Sequence, residues 1–181
     1  MLRKSKEEFN AENPELRLKA LTSSGGVMDM DLWSGDNITL IRGDYFALDE
    51  TNAGRRFDAV FDRASLVAID PSKRSEYVDI MGKLVQPGGK ILLVTIEKRA
   101  GTDEACQAGP PYSISEADVR KLYEGQEWVE SVEVLDEYDE FQLDPGGVDR
   151  WRKRGVLAMY ELAFLVTAKK QKEDGATGRG N

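Results

Sequence analysis

The sequence has no histidine and one cysteine, Cys106, among 181 residues. Without histidine, triads of the Ser-His or Cys-His kind are excluded, and imidazole metal sites go with them. A single cysteine permits neither an intrachain disulfide nor a cysteine-based zinc cluster. No apolar run approaches the length of a membrane span. The opening "MLRKSKEEFNAEN" carries positive charge with no apolar core behind it, so no secretory signal is read there. Positive charge is scarce overall: 25 Lys and Arg face 33 Asp and Glu, a net charge of −8. A nucleic-acid partner would want a basic face, and the densest basic cluster, "DRWRKRG" (149–155), is small and local. The expected setting is cytoplasmic, with no membrane partner. Whatever chemistry occurs must need little proton transfer from the protein, or must use carboxylates, Lys, Arg or Tyr.

What is present describes one soluble domain with 40% hydrophobic and 32% charged residues. "KSKEEFNAEN" (4–13) reads as a short polar helix, and "TSSGG" (22–26) as a turn. "VMDMDLW" (27–33) alternates with period two, as a half-exposed strand does. "SGDN" turns the chain into a second strand, "ITLIRGDYF" (38–46), giving an antiparallel ribbon that leads into a core strand. "FDAVFD" (57–62) reads as a buried strand. Asp70 and Pro71 form a helix start, and Tyr77, Ile80, Met81 and Leu84 share one face of the helix that follows. "PGGK" (87–90) stops that helix, and "ILLVTI" (91–96) reads as a strand covered on both faces. A long loop (97–113) precedes a helix opened by a Ser113–Glu116 capping box. Two strands close the domain, "EWVESVEVLDEY" and "YELAFLVTAKK" (160–170). The domain is expected over 1–170, with a disordered tail at 171–181. There are no internal repeats.

The element order is that of an α/β sheet with a C-terminal antiparallel hairpin. Ligands of such sheets sit at the carboxyl ends of the strands. Two strand ends carry chemistry there: "GDYF" (43–46), and the adjacent acid and base Asp62 and Arg63. Desolvating ions costs several kcal/mol each, so Asp62 and Arg63 form either a structural ion pair or a group that holds a ligand.

"FDAVFDRASLVAIDPSKRSEYV", "LVQPGGKILLVTIE" and "GPPYSISEADVRKLY" together resemble the C-terminal two thirds of thiopurine S-methyltransferases. The likeness runs from about residue 5 to 169. It implies an incomplete Rossmann-like sheet of the class I methyltransferase type, with S-adenosyl-L-methionine as cofactor and no metal. The family's opening Gly-rich turn has no counterpart, since "TSSGGVMD" neither follows a strand nor opens a helix. The chain is therefore expected to be N-terminally truncated, starting in the helix after the second family strand.

The resemblance implies roles for particular residues. Asp44 and Tyr45 would lie beside the adenine. Arg63 would reach into the cofactor and substrate crevice, with Asp62 orienting a neighbour. Pro110, Pro111 and Tyr112 would wall the acceptor pocket, and Arg150 would face the acceptor. No catalytic residue is assigned. The implied activity is methyl transfer to the sulfur of a heteroaromatic or small thiol, which ionises easily and needs no dedicated base. Two alternatives stay open. One is an inactive remnant that associates through an exposed sheet edge. The other is a methyltransferase for sulfide, selenium or tellurium species.

Overall fold

The computed structural model describes residues 19–21, 30–34, 38–143 and 145–171. The expected helix at 4–13, the turn at 22–26, residues 27–29 of the first expected strand and the tail from 172 lie outside them. The chain divides into two compact units, residues 1–54 and 55–181.

In the first unit, β1 (Lys19–Leu21), β2 (Asp31–Ser34) and β3 (Thr39–Arg42) form an antiparallel three-stranded sheet in that order. The ribbon read from the sequence is therefore present. β3 ends at Arg42, and among the described residues no ladder joins this sheet to the other. Arg42 sits opposite Asp31 in register, pairs with it, and lays its guanidinium 5.5 Å from the centre of the Trp33 ring. Gly43 is required where it stands, since a Cβ there would lie 2.6 Å from the Met30 side chain. The chain then tightens into a 3-10 turn, Tyr45–Ala47, and a short helix α1, Glu50–Ala53. Asp49 and Asn52 exchange capping hydrogen bonds across the start of α1.

The second unit is built on β5 (Val85–Ala100), which pairs in parallel with β4 (Phe57–Arg63) and antiparallel with β7 (Val156–Ala168). β6 (Val129–Asp139) completes the order β4-β5-β7-β6. The α/β class and the C-terminal antiparallel hairpin expected of the sequence are both present. The sheet buries one face. Ile91, Leu93 and Thr95 of β5 alternate onto it with Phe164 and Val166 of β7, all inaccessible to solvent. Tyr77, Ile80, Met81 and Leu84 of α2 (Arg74–Leu84) are also buried, on the stripe read from the sequence.

Three expectations need correction. β4 is not a buried strand: it is an edge, Phe61 is 65% exposed, and Asp62 is its one buried residue. The 91–96 strand is not covered on both faces, since Leu92, opposite Phe61 in register, is 39% exposed. "PGGK" does not separate helix from strand but bulges out of β5. The β4 register jumps from Phe57 opposite Val85 to Ala59 opposite Lys90. Gly88 takes φ of +78° there, and its N–H donates to the Lys169 carbonyl at 3.0 Å.

This one-sided burial sets an expected contrast in stability. Phe164→Ala should cost about 3–5 kcal/mol, the range for emptying a core aromatic site. Phe61→Ala should change stability by less than about 0.5 kcal/mol. Urea denaturation of both variants checks it, and similar losses would contradict a single buried face.

Candidate active site

Adjacent side chains on a strand point to opposite faces, and this separates Asp62 from Arg63. Asp62 turns inward and is 3% exposed; the Tyr77 hydroxyl of α2 donates to its Oδ2 at 2.9 Å. Its Oδ1 has no hydrogen bond among the described residues. Burial raises the Asp62 pKa above the usual carboxylate value, while the Tyr77 hydroxyl, the Leu66 N–H and Ser65 pull it back down. The chain returns toward Asp62 because Ala64 takes φ of +64°, a left-handed turn that costs an L-residue roughly 1 kcal/mol. Leu66 and Val67 are buried just beyond it.

Arg63 turns the other way. Its side chain is 55% exposed, and Nη2 donates to Glu161 Oε1 of β7 at 2.5 Å. Asp62 and Arg63 thus do not pair with each other. The acid is a buried group tied to a helix, and the base is an exposed fork anchored at one corner.

The segment beyond β5 is more structured than a loop. β5 runs on to Ala100, and helix α3 (Asp103–Gln107) follows with Thr102 as its cap. Lys98, 4% exposed, donates from Nζ to the Ala108 carbonyl, and the Cys106 thiol donates to the Lys98 carbonyl at 3.3 Å. Cys106 therefore helps strap α3 onto β5. The chain leaving α3 is tied back by the Ile114 N–H donating to Ile96 O at 2.8 Å, and the Lys98 N–H donating to Ser113 Oγ at 2.9 Å. Ser113 is thus spent on β5. The capping box of α4 (Glu116–Tyr123) is made by Ser115 and Asp118, two residues later than expected.

A cavity of about 410 Å³ opens beside this strap, walled by Lys98, Gly109, Pro110, Trp151, Arg154 and Val156 among others. Burial and the nearby Arg154 lower the Lys98 pKa, with Cys106 acting against them; burial is the larger cause. Gly155, at φ +82°, makes the turn that brings Arg154 and Val156 to this wall. Of the residues singled out in the sequence, Pro110 lines this cavity, whereas Tyr112 lines a different one. Pro111 is half-buried between them. Arg150 is exposed on helix α5 (Val148–Arg152) and stacks 5.3 Å from the Trp151 ring centre without lining the cavity. Lys98, Trp151 and Arg154 were missed. The dense "DRWRKRG" cluster held a signal for two of them, and Lys98 gave none, being a lysine in a run of charged residues.

Asp44 and Tyr45 belong to the first unit. Asp44 is exposed, and its Oδ1 accepts the Phe46 N–H at 3.0 Å. Tyr45 and Phe46 meet edge to face, ring centres 5.8 Å apart.

The buried acid sets a pH dependence. Its native pKa lies above the unfolded value, so the native state keeps full stability while the group is protonated in both states. That contribution is lost as pH rises from the ordinary value through the raised one. Asp62→Asn keeps the shape and the Tyr77 contact and removes the charge. Its stability advantage over the parent protein should be least near pH 4 and should grow toward pH 7. Thermal melts across that range check it, and an advantage that shrinks with rising pH would contradict the buried-acid geometry.

The sequence profile of the thiopurine S-methyltransferase family (TPMT) matches residues 7–164. The thiopurine S-methyltransferase of Nitrosospira multiformis is 34% identical over 136 residues, covering 75% of this chain and 56% of that protein. That of Aliivibrio salmonicida is 38% identical over 138 residues, 76% of this chain and 56% of that protein. The horse (Equus caballus) protein is 33% identical over 136 residues, 75% of this chain and 50% of its own length. The chain therefore spans about half the length of the curated relatives it matches. Among solved structures, an arsenic(III) S-adenosylmethionine methyltransferase of Chlamydomonas reinhardtii superposes with a TM-score of 0.48 at 14% identity, covering 72% of this chain and 44% of that one. On the extent of the profile match and these identities, the chain belongs to the thiopurine S-methyltransferase family.

Proposed function

We propose that the chain takes part in S-adenosyl-L-methionine-dependent methyl transfer to the sulfur of a heteroaromatic or small thiol. The observation that carries this reading is the cavity at Pro110, where the Trp151 ring, Lys98 and Arg154 meet. A flat indole suits an aromatic acceptor, and two cations favour the thiolate over the thiol. An acceptor already ionised needs no histidine to take its proton. The cofactor, when bound, supplies an electrophilic methyl group on a sulfonium. The protein's part is then to align the acceptor and exclude water from it.

Asp44 and Tyr45 of the first unit and Arg63 of the second each carry groups of a kind that this cofactor engages. Asp44 is exposed and has one oxygen taken by the Phe46 N–H, leaving the other for an exocyclic amine, with Tyr45 and Phe46 as neighbouring rings. Arg63, anchored by Glu161 through one nitrogen, keeps its remaining donors for a carboxylate. Asp62 holds the strand end from which Arg63 projects. Pro110 walls the acceptor cavity, Pro111 and Tyr112 continue and stiffen the segment behind it, and Arg150 adds positive charge on the helix that carries Trp151.

A second reading, association through the sheet edge, is favoured by one observation. Among the described residues β4 pairs on one side only, and its Phe61 is exposed together with Leu92 of β5.

Calorimetric titration with S-adenosylhomocysteine separates the two. Saturable binding is expected, weakened by about tenfold in Arg63→Ala, the equivalent of one charge-assisted pair. A folded chain that sediments as a dimer and binds no cofactor product would leave the association reading in its place.

A further inference from the structure

We propose that the groove around Arg74 is a second binding site, taking a small flat molecule that carries one carboxylate. Arg74 opens α2, yet its side chain is 8% exposed. Nε and Nη2 are both buried without a hydrogen bond among the described residues. These two nitrogens form one edge of the guanidinium, presenting two parallel N–H groups at the spacing of two carboxylate oxygens. Arginine stays charged when buried, and a buried charge without a partner is strongly unfavourable.

The neighbouring carboxylates are committed elsewhere. Asp70 accepts the Ser72 N–H at 2.9 Å and its hydroxyl at 2.6 Å. Asp118 accepts the Ser115 N–H at 2.9 Å and its hydroxyl at 2.7 Å. Neither forms an ion pair with Arg74, although both act on it through space. The Tyr112 ring lies against the guanidinium, its centre 5.8 Å away.

There is room for a ligand. Arg74 borders two cavities of about 530 and 490 Å³, and both share Pro71, Arg74 and Asp118 in their walls. The larger adds the Tyr112 ring as a flat surface, with Gln107 and Ser113 as polar groups. Asp118 on both walls disfavours a multiply charged anion such as phosphate. A monoanion held by the fork and resting on Tyr112 fits the charge and the shape. The Tyr112 ring also packs on Gly109, where a Cβ would lie 2.3 Å from it, so the segment Gly109–Tyr112 borders this groove and the Pro110 cavity alike.

Sodium benzoate is the probe. In the 181-residue chain labelled with nitrogen-15 arginine, benzoate should shift the Arg74 Nε–H resonance saturably. Arg74→Gln should weaken binding by about tenfold or more, and Arg152→Gln, an exposed cation elsewhere, should leave it unchanged. The Arg74 resonance is read in the parent protein, so the test stands even if Arg74→Gln does not fold. Four results would overturn the proposal: no Arg74 shift up to about 50 mM benzoate, undiminished binding by folded Arg74→Gln, benzamide binding as tightly as benzoate, or inorganic phosphate displacing benzoate at equal concentration.

Discussion

A carboxylate removed from water at the end of an exposed strand constrains the second unit more than any other single contact. β4 has little burial of its own, and Asp62 is the residue through which it enters the interior. The Tyr77 hydroxyl meets that carboxylate from α2, fastening the strand end to the helix. The cost of desolvating the acid is met only in part by this bond, the Leu66 N–H and Ser65, which is why its pKa rises. The left-handed turn at Ala64 belongs to the same arrangement, because just beyond it the Leu66 N–H returns to the acid. Arg63, one residue along, is thereby held on the opposite side of the strand with Glu161 as its anchor.

The other organising device is the strap beyond β5. Lys98 and Cys106 exchange bonds with the backbone of α3 and of β5, and Ser113 and Ile114 tie the far end of the segment to the same strand. These contacts turn a long connection into a wall, with the Pro110 cavity and the Arg74 groove both bordered by Gly109–Tyr112. Both cavities bring positive charge and an aromatic ring together within an acidic chain, so local charge rather than net charge governs what each would accept.

Local chemistry was legible where one signal stood alone. The apolar period of α2 and the Asp70–Pro71 start were readable, since no competing pattern overlaps them. The α4 cap was misplaced because Ser113 and Ser115 each stand three residues before an acid. Only the tertiary contact of Ser113 with β5 decides between them. The burial of β4 was misread because an apolar run does not reveal whether its strand is an edge. The extension of β5 through Glu97–Ala100 was hidden by its charges; its partners are residues of β7 some sixty positions away in sequence, as with Lys98 opposite Met159. Arg74 carried no sequence signal, because burial of a helix-start arginine depends on α4 and the strap folding over it.

Everything above turns on Asp62 being a buried acid whose strongest donor is the Tyr77 hydroxyl. The most direct test is a carbon-13 NMR titration of the Asp62 carboxyl, assigned by comparison with Asp62→Asn. A midpoint above the ordinary value of 3.8 is expected, moving higher still in Tyr77→Phe as the donor is lost. A midpoint at or below 3.8 would place the carboxylate in water or beside a cation, and would contradict the account.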